Sequence, residues 1–305
     1  MSEINRDTRP YEAARKSKDP SKTAETMAMI RASESKRPED ERICNDPYAI
    51  RFVSRAVLEF AVGNPEKYKA FVDRMERLVP GAGNSCAARV RYIDDAVLAC
   101  LADGLEQLVI LGAGYDTRAY RIEELKKIRV FEADHPATQR LKVDKIREIF
   151  GSLPGHVTYV PADLAVDEPG RQLRGSGYDP SRKTLFVMEG LLMYLPPGIV
   201  DGILSFIAHN SCKGSAIVFD YIPDSVVDGT CELEAGKNWR KGVIDAGEPF
   251  LFGIEPGTLK TFLTQRGFVQ IRDVTSEDYR NAYFHGKNAG RPLNPLLMFA
   301  YAVVE

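Results

Sequence analysis

The sequence predicts an α/β chain built on a mostly parallel sheet with helices on both faces. Three observations point there. Short apolar runs recur from residue 107 onward, helix-like stretches separate several of them, and the first run ends in Leu111-Gly112-Ala113-Gly114, a turn suited to carrying a strand into a helix. With 305 residues, 44% of them hydrophobic, the chain is long enough to bury a large core.

Each element follows from local pattern. Residues 1–45 are rich in charge, yet within Thr23 to Ala32 the residues Met27 and Ile30 and the alanines share one helical face, which predicts an appended helix. Asp46-Pro47-Tyr48 punctuates the chain, and Ala49 to Phe60 reads as an amphipathic helix. Tyr68 to Val79 is a second helix, stopped by Pro80-Gly81, and Arg89 to Leu101 is a third. Residues 1–85 are therefore expected to form an N-terminal helical extension acting as a lid, and 86–305 the main domain. Strands are expected at 107–111, 128–133, 157–160, 184–188 and 215–220, with helices at 136–150 and 198–209 and a helical stretch after Gly112. Near-continuous apolar strands alternating with helices mean a parallel sheet buried on both faces. A helix at 257–266 and strands at 269–274 and 296–304 close the chain, while 223–255, with glycines and prolines amid scattered apolar residues, is expected to be a lid insertion.

Composition excludes some function classes. A formal net charge of -2 and a pI near 6.2 give no overall positive field, so no nucleic-acid partner is expected. No window approaches the roughly 20 apolar residues of a membrane span, and the start MSEINRDTRPYEAARKSKDP has no apolar core of the signal-peptide kind. The five cysteines, Cys44, Cys86, Cys100, Cys212 and Cys231, show no C-x-x-C and read as free thiols of a cytoplasmic protein.

The strongest chemical signal is Leu108 to Arg118, a strand running into Gly112-x-Gly114. Glu132 and Asp134 follow the second apolar run, 20 and 22 residues beyond Gly112, where either carboxylate could accept hydrogen bonds from a ribose diol. A dinucleotide would want a third glycine so that its pyrophosphate could approach the helix start, and that position is Thr117. The turn thus fits a nucleoside without a pyrophosphate, such as S-adenosylmethionine, better than NAD. Glu132, Asp134 and His135 could also be read as metal ligands, but ribose binding is the stronger reading and no metal is expected.

Seven motifs then stand in an order that resembles the leucine carboxyl methyltransferase-like family of S-adenosylmethionine-dependent methyltransferases. They are Ser21-Lys22-Thr23-Ala24, Asp46-Pro47-Tyr48, Ala88-Arg89-Val90, Leu111 to Arg118, Phe131 to Pro136, Ala162-Asp163-Leu164 and Glu189 to Leu195. The resemblance implies a class I methyltransferase fold, a Rossmann-like seven-stranded sheet with its last strand antiparallel. It implies that Lys22 and Arg89 meet the methionine carboxylate, that Gly112 and Gly114 turn beneath the methionine part, and that Asp134 holds the ribose. By the same resemblance Asp163 and Leu164 flank the adenine, and Glu189 lies beside the cofactor.

The implied reaction is methyl transfer to a carboxylate of a small-molecule acceptor. A carboxylate with a pKa of ~4 is already ionised at neutral pH, so no general base is needed, in keeping with four scattered histidines and no nucleophile–histidine set. Tyr194 could donate a hydrogen bond toward the acceptor, and Tyr279, Arg280, Tyr283, Phe284, His285 and Arg291 form an aromatic and basic cluster that could hold an aromatic acid or be an ordinary turn. In the protein-methylating branch an arginine follows the Asp-Leu pair; here Ala165 stands there, which favours the bacterial and archaeal relatives. The competing expectations are an NAD-dependent Rossmann dehydrogenase, or a protein that binds the cofactor without transferring its methyl group.

Overall fold

The computed structural model describes residues 22–164 and 169–305. Residues 1–21, counted above within the extension, and Ala165 lie outside the described residues, as does the side chain of Lys22.

Among the described residues seven strands form one sheet in the order β3-β2-β1-β4-β5-β7-β6. They are β1 (Gln107–Leu111), β2 (Arg129–Asp134), β3 (Val157–Pro161), β4 (Thr184–Met188), β5 (Ala216–Tyr221), β6 (Phe268–Val274) and β7 (Met298–Val304). β1 to β5 pair in parallel, and β7 inserts antiparallel between β5 and β6. This is the expected sheet, last strand included.

Alternation along each strand sends neighbours to opposite faces. Val109, Leu111, Phe131, Phe186, Met188, Ile217 and Phe219 join one cluster, where Val200, Ile203, Leu204 and Ile207 of helix α8 (Pro197–His209) cover them. Leu108, Ile110, Val130, Leu185, Val187 and Val218 join the other, with Ile93 and Val97 of α4 (Ala82–Ala102) and Ile146 of α6 (Pro136–Phe150). Burial on both faces is why these strands read as unbroken apolar runs.

The helices ahead of the sheet are α1 (Lys22–Ser35), α2 (Arg55–Gly63), α3 (Pro65–Leu78) and α4. The helix expected over 49–60 is interrupted. Ala49–Phe52 is a 3-10 turn, Val53 is extended, and Ser54 accepts from the Val57 N–H to cap α2. Asp46 accepts from the Tyr48 and Ala49 N–H groups, which sets that turn. The helical stretch after Gly112 shrinks to α5 (Arg118–Arg121) and a 3-10 turn. α7 (Pro169–Gly175) precedes β4. The segment 223–255 contains α9 (Asp224–Asp228) and α10 (Glu234–Asp245), and Asn238 of α10 donates to the Leu78 carbonyl at the end of α3. α11 (Leu259–Thr264) and α12 (Ser276–Tyr283) flank β6.

A third cluster lies beyond the strand ends, where Val90, Met193, Ile222, Phe250, Tyr279 and Phe299 meet. The residues before β7 lock it. Tyr279 is fully buried, and its hydroxyl bonds the Ser85 hydroxyl and the Asn294 and Leu297 carbonyls. Arg291 forks onto both oxygens of Glu34 at 2.8 and 2.7 Å, joining the final loop to α1. The aromatic and basic cluster is thus a structural clamp.

Arg291→Ala would leave buried Glu34 with only the half-exposed Arg37 as a cation and is expected to cost about 1–3 kcal/mol in urea denaturation. Arg55→Ala, which breaks the exposed pair with Glu59, should cost less than about 0.5 kcal/mol.

Candidate functional site

The strand order reverses between β1 and β4, and the carboxyl ends of the strands open a crevice there. Gly112 and Gly114 follow β1 with φ of +66° and +41°. A Cβ on Gly112 would stand 2.9 Å from Leu191 Cδ1, so the turns after β1 and β4 touch and leave no space for a side chain. A Cβ on Gly114 would meet Ala24 of α1 at 3.5 Å. The first helix therefore crosses the glycine turn.

Glu132 and Asp134 share one face of β2, and register separates them. Glu132 pairs with Ile110 in the middle of the sheet, whereas Asp134 lies past the last β1 pair, Leu111 with Ala133. Glu132 is fully buried, bonded to Lys142 Nζ at 2.8 Å and to the Tyr120 hydroxyl at 3.1 Å. Burial raises its carboxyl against the pull of Lys142. It is a support beneath the turn, because Lys142 also donates to the Ala113 carbonyl. Asp134 accepts from the Gly114 N–H through Oδ2 and from the His135 N–H through Oδ1. Burial pushes the Asp134 carboxyl above its usual range while those two N–H groups pull it back. His135 caps α6 by accepting from the Ala137 N–H at 3.3 Å. Asp163 and Leu164 follow β3, Leu164 buried in the sheet's first cluster and Asp163 partly buried.

Across the crevice lies a chain of buried charge. Arg89 of α4 is only 5% exposed; its Nη1 donates to Asp220 at 2.6 Å and its Nε to Glu189 at 3.2 Å. Arg118, 1% exposed, binds the other oxygen of Glu189 at 2.6 Å, Asp116 at 2.5 Å and Asp94 at 2.7 Å. Arg121 completes the set on Asp94 at 2.8 and 2.7 Å. Burial opposes the charge on Glu189, but Arg118 and Arg89 outweigh it and hold the carboxyl below its usual range. At Asp116 burial again opposes, and Arg118 and Lys142 bring the value to about 2. Asp220, buried at the end of β5, goes up despite Arg89, and its Oδ1 accepts from the Gly190 N–H at 2.6 Å. Three guanidiniums face four carboxylates here, so the edge favours a ligand of net positive charge.

Two segments close over this edge. Arg31 of α1 binds Asp46 at 2.8 Å and the Tyr115 carbonyl at 2.6 Å, and Met27 Sδ lies 3.2 Å from Arg89 Nη2. Lys22 opens α1. Thr23 donates its hydroxyl to Glu248 of the 223–255 segment, joining the two covers. Leu251 and Phe252 donate to the Met193 carbonyl at 2.7 and 3.2 Å, and this seats Phe250 5.4 Å from the Tyr194 ring and 5.3 Å from Trp239. Burial, then Glu248, raises the Tyr194 hydroxyl, which keeps its proton and donates to no described residue.

The structure therefore brings Arg89, Gly112, Gly114, Asp134 and Glu189 to one edge, with Asp163 and Leu164 one strand out. Sequence reasoning gave no role to Asp94, Asp116, Arg118, Asp220, Trp239, Glu248 or Phe250. Asp220 had a readable signal, a carboxylate in the last turn of an apolar run, as Glu189 follows Met188. Glu248 had none.

Comparison with known proteins shows the family and the fold. A sequence model of the leucine carboxyl methyltransferase family matches residues 24–208. A protein of Mycobacteroides abscessus with the provisional name S-adenosyl-L-methionine-dependent methyltransferase is 31% identical over 283 residues, 90% of each chain. One of the same provisional name from Mycolicibacterium gilvum is 32% identical over 244 residues, 75% of each. The crystal structure of a provisionally named methyltransferase from Thermobifida fusca superposes with a TM-score of 0.59 at 16% identity, covering 96% of this chain and 97% of that one. A duf574 family protein from Streptomyces avermitilis gives 0.56 at 15%, covering 91% and 97%. At these identities the two structures speak for the fold.

The charge chain has a pH signature. Because the folded value of Asp116 lies below its ordinary 3.8, its stabilising contribution is complete above about pH 4 and lost as pH falls toward 2. Asp116→Asn is expected to be less stable than wild type at pH 7 by about 2 kcal/mol, with the gap closing between pH 4 and 2 in urea titrations.

Proposed function

The chain belongs to the leucine carboxyl methyltransferase family, and on that premise we propose that it binds S-adenosylmethionine at the carboxyl edge of its sheet and transfers the methyl group to an oxygen of a small molecule. The observation that carries this reading is the convergence on one crevice of the Gly112–Gly114 turn, the Asp134 carboxylate and the Arg89–Glu189 pair.

The residues fit the cofactor. Two of the roughly four acceptor positions of the Asp134 carboxylate are taken by backbone N–H groups, and the others suit a ribose diol. Gly112 admits no Cβ because Leu191 fills that space, so the turns after β1 and β4 pack directly on each other at the crevice. The excess of carboxylate over guanidinium suits a molecule carrying a sulfonium, an ammonium and one carboxylate. When bound, that sulfonium supplies an activated methyl group. Arg89, held by Asp220 and Glu189, is assigned to the methionine carboxylate, and Glu189, whose two oxygens accept from Arg89 and Arg118, to the ammonium. Asp163 and Leu164 are assigned to the adenine, and α1, with Lys22 at its start, to the cover that keeps water out.

The same residues argue against NAD. Thr117 is buried where a third glycine would stand, Arg118 is engaged by three carboxylates, and α5 is a single turn that offers no extended helix N-terminus to a pyrophosphate.

The acceptor oxygen is a carboxylate or a hydroxyl. Family resemblance supports the carboxylate, which needs no base. Glu248, a carboxylate at the acceptor end, supports the hydroxyl. The bond between Thr23 and Glu248 and the packing of Tyr194 on Phe250 support a small acceptor enclosed at this edge.

Isothermal titration should show S-adenosylhomocysteine binding and NAD not binding; the reverse would overturn the assignment. Asp134→Ala should weaken S-adenosylhomocysteine by about 1–3 kcal/mol, roughly 5- to 150-fold. Labelled methyl transfer to small acids, alcohols and phenols separates an enzyme from a protein that only binds the cofactor.

A further inference from the structure

Glu248 of the 223–255 segment reaches the start of α1, the helix that crosses the glycine turn. Its carboxylate accepts from Thr23, the residue before Ala24, and Ala24 packs on Gly114. On its other side, Leu251 and Phe252 are bonded to the Met193 carbonyl, so the stretch from Glu248 to Phe252 runs beside Tyr194, five residues beyond Glu189. Glu248 is partly buried, and its backbone N–H is fixed on the Val243 carbonyl at 2.9 Å. A carboxylate is thus held between the glycine turn and the β4 turn, the two banks of the crevice.

The walls beside it are aromatic. Tyr194 packs at a tilt on Phe250, and Trp239 meets Phe250 edge-on at 89°. Phe250 is buried, whereas Tyr194 and Trp239 are partly exposed, so part of each of these two side chains is accessible to a ligand. The nearby guanidiniums are already committed: Arg31 to Asp46, Arg89 to Asp220 and Glu189, Arg118 to Asp94, Asp116 and Glu189. An anionic acceptor would meet Glu248 with none of these three cations to spare. A neutral acceptor would meet a hydrogen-bond acceptor.

We propose that Tyr194, Trp239, Phe250 and Glu248 form the acceptor subsite, that it takes an aromatic hydroxyl compound, and that Glu248 is the general base. This deepens the methyltransferase reading and rests on it. In the step, the phenol oxygen forms a bond to the methyl carbon as the carbon–sulfur bond breaks and its electron pair goes to sulfur. The phenolic proton passes to a Glu248 oxygen. The products are the aryl methyl ether, neutral thioether and protonated Glu248, which returns its proton to solvent. Phenols, with a pKa near 10, are neutral at pH 7 and gain from a base, unlike carboxylates.

The test uses the full-length protein with S-adenosylmethionine and three probes: 4-methylphenol, 4-nitrophenol and benzoate. Titration with S-adenosylhomocysteine comes first, and failure of wild type to bind it would sink the methyltransferase reading itself, separately from the subsite. Given binding, wild type should methylate both phenols and not benzoate. Glu248→Gln should lower kcat on 4-methylphenol by ~10²–10⁴-fold and, assayed below its pKa where it is still neutral, on the more acidic 4-nitrophenol by a clearly smaller factor, because a more acidic hydroxyl leans less on a base. Glu248→Asp should restore part of the 4-methylphenol rate. Preferred turnover of benzoate, no turnover of either phenol, or equal losses on both phenols in Glu248→Gln would overturn the proposal. If Glu248→Gln loses S-adenosylhomocysteine as well, the ratio of the two phenols at saturating cofactor still decides, because opening of the lid slows both alike.

Discussion

Charge buried at the ends of parallel strands is the constraint on which the site depends. A carboxylate taken out of water costs several kcal/mol unless it meets a cation and its remaining lone pairs are filled. Glu189 and Asp220 sit at the ends of β4 and β5, and the cations that satisfy them come from outside the sheet. Arg89 arrives on α4 and Arg118 on the turn after β1. Satisfying the two acids therefore fixes the position of α4 over the sheet and the path of the chain beyond the glycine turn. Asp220 also accepts from Gly190, so one carboxylate sets both the arginine and the backbone beside it.

A second buried pair does the same beneath the site. Lys142 neutralises Glu132 inside the sheet and reaches the Ala113 carbonyl, which ties α6 to the glycine turn. The turn is thereby held from below by Lys142, from β2 by Asp134 and from above by Ala24. One oxygen of Glu132 has no hydrogen-bond partner among the described residues, and burial raises the group accordingly.

The proposed acceptor end is built differently, from elements distant in sequence. α1, the β4 turn and the segment between β5 and β6 meet there through Thr23, Met193 and Glu248. Arg291 and Tyr279 brace the same neighbourhood from the chain's last third. The aromatic and basic residues around Tyr279 looked in sequence like a binding wall, because residue types alone do not say whether a hydroxyl or a guanidinium is already consumed. Here Tyr279 spends its hydroxyl on Ser85 and two carbonyls, and Arg291 spends its fork on Glu34 and Asn84.

By itself the sequence determined the sheet and the glycine turn. β1, β4 and β5, buried along their whole length, must appear as unbroken apolar runs, and Gly112 and Gly114 mark a turn of positive φ in which a close Leu191 leaves Gly112 no room for a side chain. It did not show that Ser54 would break the helix after Asp46, or that residues 223–255 would fold into two helices, since those outcomes depend on capping and on docking against α3. Tertiary structure alone separated Glu132 from Asp134. Both lie on one face of β2 at a spacing of two, and only the pairing register with β1 puts one inside the core and the other at its rim. It alone placed Glu248 beside Tyr194, because an ion or hydrogen bond between residues 225 positions apart, such as that from Thr23, leaves no periodicity in the chain; it exists only once the sheet has set where each segment returns.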